Sequence, residues 1–271
     1  MDYAKELETA LDAAAKAGDY LRAAYDARTP VANAPASIST EADRTSQELI
    51  LSHLAAAFPD DALCAEEETE TLRAAPRTGS RVWVVDPIDG TRGFVMKNGE
   101  FSVMIGLVVR GRVVVGVVSE PARSRLTYAQ FGHGCWSRTG DHLPTRCHVA
   151  RTDKLNEAAL VMSHSKTGQS SWPAEALRPR RLVETYSAGL KLAMVARGEV
   201  DLYVNTYPNF SDWDICSGDL LVTEAGGIVT ELSGAPVTYG SPGHAQRGGL
   251  LASNAALHAA AVAALKRHLQ P

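Results

Sequence analysis

Apolar residues recur at Tyr3, Leu7, Leu11, Ala14, Leu21 and Tyr25, with charges between them. That period predicts an amphipathic first helix. Residues 28–39, with two prolines among small polar residues, read as a linker. Leu49, Ile50, Leu54 and Phe58 predict a second helix stopped by Pro59. The pattern then changes. Residues 81–86, 101–109, 112–118 and 125–131 are β-branched runs, which predict buried strands, with Arg110-Gly111 as a hairpin turn. From about residue 150 strands and helices alternate. Strands are expected at 158–163, 181–184, 200–205, 228–231 and 249–253. Helices are expected at 187–197, at 214–225 closed by Gly226-Gly227, and at 254–269 with Asn254 as N-cap. The class is an α+β or α/β layered sandwich, with a mainly antiparallel N-terminal sheet and a smaller mixed C-terminal sheet. Two subdomains are expected, 1–150 and 151–271, with the active site between them.

The chain has 271 residues, 45% of them hydrophobic, so a large core is available and disorder is excluded for the bulk of it. Lys and Arg number 27 against 31 Asp and Glu, a net charge of −4, which offers no electrostatic case for a nucleic-acid polymer or an anionic membrane. No apolar run is long enough to span a bilayer, and the start, MDYAKELETA, lacks a secretory pattern. Four cysteines without a CxxC pair favour free thiols and a cytoplasmic location, two disulfides being the alternative. His133, Cys135, Cys147 and His148 match no common zinc spacing and read as structural.

The chemistry concentrates in Asp86-Pro87-Ile88-Asp89-Gly90-Thr91, where a strand ends in two carboxylates three apart. A turn there is either a plain Asx-turn or a point where both carboxylates meet. If they meet, they repel unless a cation lies between them, and hard oxygen ligands suit Mg²⁺, Mn²⁺ or Ca²⁺. Glu66 and Glu67 follow another apolar segment. Asp214 opens a helix, where an acidic residue is also an ordinary first-turn charge.

Three motifs in order carry a resemblance: Ala65-Glu66-Glu67, VVDPIDGTRGF at 84–94, and WDICSGDLLVTEAGG at 213–227. Together they resemble the inositol monophosphatase superfamily of metal-dependent phosphomonoesterases, over about residues 38–231. The resemblance implies a sugar-phosphatase-like sandwich and two to three Mg²⁺ per site, with Mn²⁺ as an alternative. It implies that Glu66, Asp86 and the carbonyl of Ile88 hold a first ion, that Asp86, Asp89 and Asp214 hold a second, and that Glu66 helps hold a third. Thr91, oriented by Asp43, would position the attacking water. The amides of Gly90 and Thr91 would bind phosphate, with Glu67 in support.

Within the superfamily stand inositol monophosphatases, fructose-1,6-bisphosphatases, histidinol phosphatases and 3'(2'),5'-bisphosphate nucleotidases. Residues 97–103, Ser163-His164 and Ser187-Ala188-Gly189-Leu190-Lys191 look most like the nucleotidase branch. That likeness makes Ser163, His164, Ser187, Gly189 and Lys191 substrate contacts, with Lys191 on a second phosphate and His164 on the base. Met162 departs from the branch, which has Arg there. Residues 206–212 lack the acid that inositol phosphatases set against the sugar ring, unless Asp212 supplies it. The implied activity is hydrolysis of the 3'(2')-phosphate of adenosine 3'(2'),5'-bisphosphate. An inositol-1-phosphatase or broad sugar phosphatase is the second reading. A silent phosphometabolite-binding protein is a third, disfavoured because every candidate ligand is in place. The partner implied is a small phosphorylated metabolite, met by a monomer or homodimer.

Overall fold

The apolar runs of the first half form one sheet because both of its faces are covered. A computed structural model describes residues 2–35, 37–164, 171–207, 210–240 and 244–269. Helix α1 (Ala4–Ala27) buries a stripe of small residues, Ala10, Ala13, Ala14, Ala17 and Gly18, and so lies close against α2 (Glu41–Ala57). Leu49, expected on the buried side of α2, is 39% exposed. The buried stripe instead runs through Ile50, Leu51 and Leu54, completed by Ser46 and Gln47, which are buried because they hydrogen-bond across to Pro87 and to residues 67 and 69.

Strands β1 (Ala62–Ala65), β2 (Arg81–Asp89), β3 (Ser102–Val109), β4 (Arg112–Glu120), β5 (Arg125–Gln130), β6 (Cys135–Thr139) and β7 (Thr145–Arg146) lie side by side in chain order. Only the β1–β2 pair is parallel. Short helices α3 (Glu70–Ala74) and α4 (Thr91–Met96) bracket β2. Val103, Ile105 and Leu107 of β3 face the α1/α2 core, while Met104 and Val108 face the opposite one. That two-sided burial explains the unbroken apolar runs.

The second half supplies β8 (Ala159–Met162), α5 (Trp172–Leu177), β9 (Arg181–Glu184), α6 (Ala188–Ala196), β10 (Leu202–Asn205), β11 (Phe210–Ser211), α7 (Asp212–Glu224), β12 (Gly227–Thr230), β13 (Ala245–Gln246), β14 (Leu250–Asn254) and α8 (Ala255–Leu269). A five-stranded sheet runs β12-β14-β10-β8-β9, and β11 pairs with β13 alone. Helices α6 and α7 fill the space between the sheets, and α5 with α8 covers the outer face. The result is a sandwich of alternating helix and sheet layers. Gly116 lets α7 approach β4 closely: a Cβ there would collide with the carbonyl of Ser217. Asn254 caps α8 as expected, its Oδ1 accepting from the Leu257 amide at 2.9 Å.

Elements α3, α5, β6, β7, β11 and β13 arise where the residue pattern predicts none. They are short, and their polar residues face solvent or partners distant in sequence. The four cysteines are buried and free. No helix among the described residues is long and apolar enough to cross a membrane.

Candidate metal centre and active site

Strand β2 continues three residues past its expected end at Asp86. The ladder to β3 slips there, between the pairs Asp86↔Met104 and Asp89↔Ser102. This irregularity re-aims side chains, and both carboxylates reach one point at the start of α4. Asp86 Oδ1 accepts from the Ile88 amide at 3.0 Å, so the turn is indeed an Asx-turn as well. Gly90 caps α4 with φ 87°. A Cβ at this position would lie 2.6 Å from the Glu100 carbonyl and 3.1 Å from Ser187 Cβ, so glycine is required twice over.

Asp214 arrives from the other half. It is the third residue of α7 and closes a capping box with Ser211, whose amide donates to Asp214 Oδ2 at 2.6 Å. Ligand oxygens of Asp86, Asp89 and Asp214 then lie within 4.8 Å of one another. Among the described residues this is the only such set of three His, Cys, Asp or Glu groups, so His133, Cys135, Cys147 and His148 form none.

The cluster is electrostatically unfinished. Burial pushes Asp86 well above the usual carboxylate range, and the charges of Glu66, Asp89 and Asp214 push the same way. Burial and Asp89 raise Asp214 to about 7. Asp89 is raised by burial, against hydrogen bonds from Ser187 and Gly189 and the charge of Lys191. Glu66 is exposed and is not in the 4.8 Å set. Desolvation, with the charges of Asp214 and Asp43, raises it to about 8. Hard carboxylate oxygens, buried together and each made less acidic by the others, are the donor set a divalent cation such as Mg²⁺ completes.

Asp43 and Thr91 form the second part of the site. Asp43 is the third residue of α2. Its Oδ2 accepts from the amide and the hydroxyl of Thr40, both at 2.7 Å, which closes a second capping box. Its Oδ1 faces the Thr91 hydroxyl at 2.9 Å, and that hydroxyl is also 3.0 Å from the Ile88 carbonyl. Burial raises the proton affinity of Asp43. Glu67 turns aside: Ser39 donates to its Oε1 at 2.6 Å, and Gln47 brackets its backbone.

A profile of the inositol monophosphatase family matches residues 2–270. The chain belongs to that family. A histidinol-phosphatase of Streptomyces coelicolor is 33% identical over 227 residues, covering 81% of this chain and 80% of its own. The 3'(2'),5'-bisphosphate nucleotidase CysQ of Aggregatibacter actinomycetemcomitans is 29% identical, covering 86% and 87%. Among solved structures, an IMPase of Thermotoga maritima superposes with a TM-score of 0.82 over 98% of both chains at 29% identity. The protein is a metal-dependent phosphatase of a family that acts on small phosphorylated substrates, and the family's general requirement for Mg²⁺ fits the carboxylate cluster.

The segment that the likeness to the nucleotidase branch marks for substrate is turned inward in this inositol monophosphatase relative. Ser187, wholly buried, donates to Asp89 Oδ2, and the Gly189 amide donates to the same oxygen at 2.6 Å. A Cβ on Gly189 would meet Ser102 Oγ at 2.5 Å. These two residues hold a carboxylate rather than a ligand. Lys191 is a clearer correction. It is 1% exposed, and its ammonium donates to Ser163 Oγ at 2.9 Å, the Thr185 carbonyl at 2.9 Å and the Tyr186 carbonyl at 3.1 Å. All three protons are used, so none remains for a second phosphate. Burial lowers its pKa to about 8, against the charges of Asp89, Glu100 and Asp214.

Ser163 is thereby an anchor for Lys191. His164 does stand at the surface, with Nε2 2.7 Å from Glu100 Oε2 and its ring 4.3 Å from that of Tyr186. Asp212 is buried and occupied, accepting from the Gly240 amide at 2.9 Å and Gln246 Nε2 at 2.7 Å. It is therefore not free to meet a sugar ring; Pro208 and Asn209 of the same segment lie outside the described residues. Arg92, Glu100 and Tyr186 were given no role from the sequence. Arg92 stands next to Thr91 in the central motif, and Glu100 lies within the 97–103 run. Tyr186 had no signal, because its partner Glu100 is 86 residues away.

Proposed function

We propose that this phosphatase removes the 3'(2')-phosphate of adenosine 3'(2'),5'-bisphosphate. The observation that carries the reading is the aromatic pair of His164 and Tyr186, ring centroids 4.3 Å apart, with Tyr186 next in the chain to Ser187, which binds Asp89. A purine can stack on such a pair. The name of the Aggregatibacter relative supports it, and so does the commitment of Asp212 to its own neighbours. The second reading, an inositol-1-phosphatase or broad sugar phosphatase, is favoured by Met162 standing where the nucleotidase branch has Arg. In this proposal residues 1–150 and 151–271 act as two subdomains with the cleft between them, in a monomer or homodimer.

Asp86, Asp89 and Asp214, with Glu66 and the Ile88 carbonyl, would hold two to three Mg²⁺. Bound Mg²⁺ supplies charge neutralisation at the phosphate and activation of the attacking water. The chain's own residues do the rest. The first amides of α4, at Gly90 and Thr91, hold phosphate oxygens. A water donating to Thr91 Oγ1 is oriented for attack, because that hydroxyl gives its own proton to Asp43 Oδ1. Asp43, buried and with raised proton affinity, would take that proton as the water attacks, and the departing alcohol oxygen would take one from solvent. Phosphoryl transfer needs little beyond such positioning and charge neutralisation.

The test is phosphate release with Mg²⁺ on five esters: adenosine 3',5'-bisphosphate, inositol-1-phosphate, fructose-1,6-bisphosphate, histidinol phosphate and NADP. The expected result is the highest kcat/KM on adenosine 3',5'-bisphosphate. A higher value on inositol-1-phosphate replaces this reading with the second.

A further inference from the structure

We propose that Arg92 is the specificity residue of this site: its guanidinium, held over the ring of Tyr186, receives a second anionic group of the substrate. The proposal deepens the phosphatase reading and rests on it.

Arg92 follows Thr91 in the first turn of α4, so the turn that carries Asp89, Gly90 and Thr91 also fixes its backbone. Its guanidinium carbon lies 5.0 Å from the centroid of the Tyr186 ring. Its Nε is buried without a hydrogen-bond partner. Among the described residues the structure pairs no carboxylate with it. A buried donor on a charged group is costly to leave unmatched, which singles out this cation as one awaiting an acceptor.

The nearby acid is already engaged. Glu100 Oε2 is 2.7 Å from His164 Nε2 and accepts from the Tyr186 amide at 3.2 Å. Glu100 thereby holds His164 and Tyr186 together, and among the described residues no ion pair joins it to Arg92. Lys191, the cation the sequence points to, has spent its three protons on Ser163, Thr185 and Tyr186. Tyr186 joins the two sites: its ring carries Arg92, and the next residue, Ser187, binds Asp89. Arg92 also follows Thr91 directly, so an ester held at the carboxylate cluster has this cation as a neighbour along the chain. A planar guanidinium over a ring offers paired N–H donors at its edge, which suits phosphate or sulfate.

The experiment measures kcat and KM for wild type, Arg92→Ala and Arg92→Lys at saturating Mg²⁺. Adenosine 3',5'-bisphosphate and fructose-1,6-bisphosphate carry a second phosphate; inositol-1-phosphate and histidinol phosphate do not. Arg92→Ala is expected to lose about tenfold or more in kcat/KM on the two bisphosphates relative to the two monophosphates, mostly through KM. Arg92→Lys, which keeps the charge without the flat face, should recover part of that difference. The wild-type ranking reports on the nucleotidase reading, and the ratio of variant to wild type reports on Arg92. If fructose-1,6-bisphosphate ranks first and the selective loss persists, the nucleotidase reading falls and Arg92 stands. A loss of equal size on all four esters, or no loss on any, overturns the assignment of Arg92 whatever the ranking.

Discussion

On the carboxylate side of the site, Asp43, Asp86 and Asp214 are each tied by a carboxylate oxygen to backbone within three residues of themselves. Two of the ties are capping boxes and one is an Asx-turn. On the aromatic side, Glu100, His164 and Tyr186 hold one another across 64 and 86 residues of chain, and Lys191 ties the Tyr186 carbonyl. The first side is positioned by local backbone chemistry, which for Asp43 leaves Oδ1 for the Thr91 hydroxyl. The second is positioned by tertiary packing, with Ser187 and Lys191 as its inner braces. The carboxylate side should thus fail by charge, and the aromatic side by loss of shape.

The largest expected effect probes charge. Asp89→Asn keeps an acceptor oxygen for Ser187 and the Gly189 amide, so the fold should persist. Removing the negative charge should cost several kcal/mol of transition-state stabilisation, about a thousandfold in turnover. Near-normal phosphate release by this variant would refute the metal assignment.

The same division decides what was legible in the residue pattern. Asp86 to Thr91 could be read as a site because strand, turn and helix start are contiguous. Asp214 could be read as a helix-start acid, and the structure makes it that and a cluster member together. The fold class was legible because two-sided burial leaves unbroken apolar runs. The short strands β6 and β7 were not, since five and two residues carry little periodic signal. Nor were the duties of Ser187, Gly189 and Lys191. A motif names residues near a site, but whether a side chain faces ligand or core depends on packing from distant segments. Lys191 is the instructive case, since helix α6 buries it whole.

That burial makes Lys191→Met the next test. Its ammonium ties Ser163, Thr185 and Tyr186 and faces Asp89 and Asp214. Removing one partner from a buried charge network costs about 3–5 kcal/mol. Chemical denaturation should show a loss of this order, with activity falling on every ester alike. A stable variant with selective loss on bisphosphates would return Lys191 to the substrate.

A third test uses pH. Without metal the folded chain holds protons on Asp214 and Glu66 up to about 7 and 8, whereas unfolded carboxyls release them near 4. The folded state thus binds more protons across that window, and these groups' contribution to stability is full below about pH 4 and lost as pH rises through 7 to 8. Mg²⁺ competes with those protons. The increase in Tm on adding Mg²⁺ should therefore grow from pH 5 to pH 8, by about 5 °C. A Tm increase that does not change with pH would show that the cluster is not where Mg²⁺ binds.

The finest test sits where the two sides touch. Ser187 Oγ donates to Asp89 Oδ2, lies 3.0 Å from Ser102 Oγ, and accepts from the Leu190 amide at 3.0 Å as the N-cap of α6. Ser187→Ala leaves Asp89 with the Gly189 amide at 2.6 Å and the Ser102 hydroxyl at 3.4 Å. Loss of the cap should cost about 1 kcal/mol of stability. Loss of the outer hydrogen bond should weaken Mg²⁺ about tenfold, in the range usual for groups that orient a metal ligand. Since that hydrogen bond lowers the proton affinity of Asp89, its removal should also move the Mg²⁺ requirement toward higher pH. The expected signature is a higher Mg²⁺ concentration for half-maximal activity with kcat nearly kept at saturation. If KM for the ester rises instead and the Mg²⁺ requirement stays put, Ser187 touches substrate, as the resemblance to the nucleotidase branch implies, and the line between the two sides of the cleft runs on the other side of this residue.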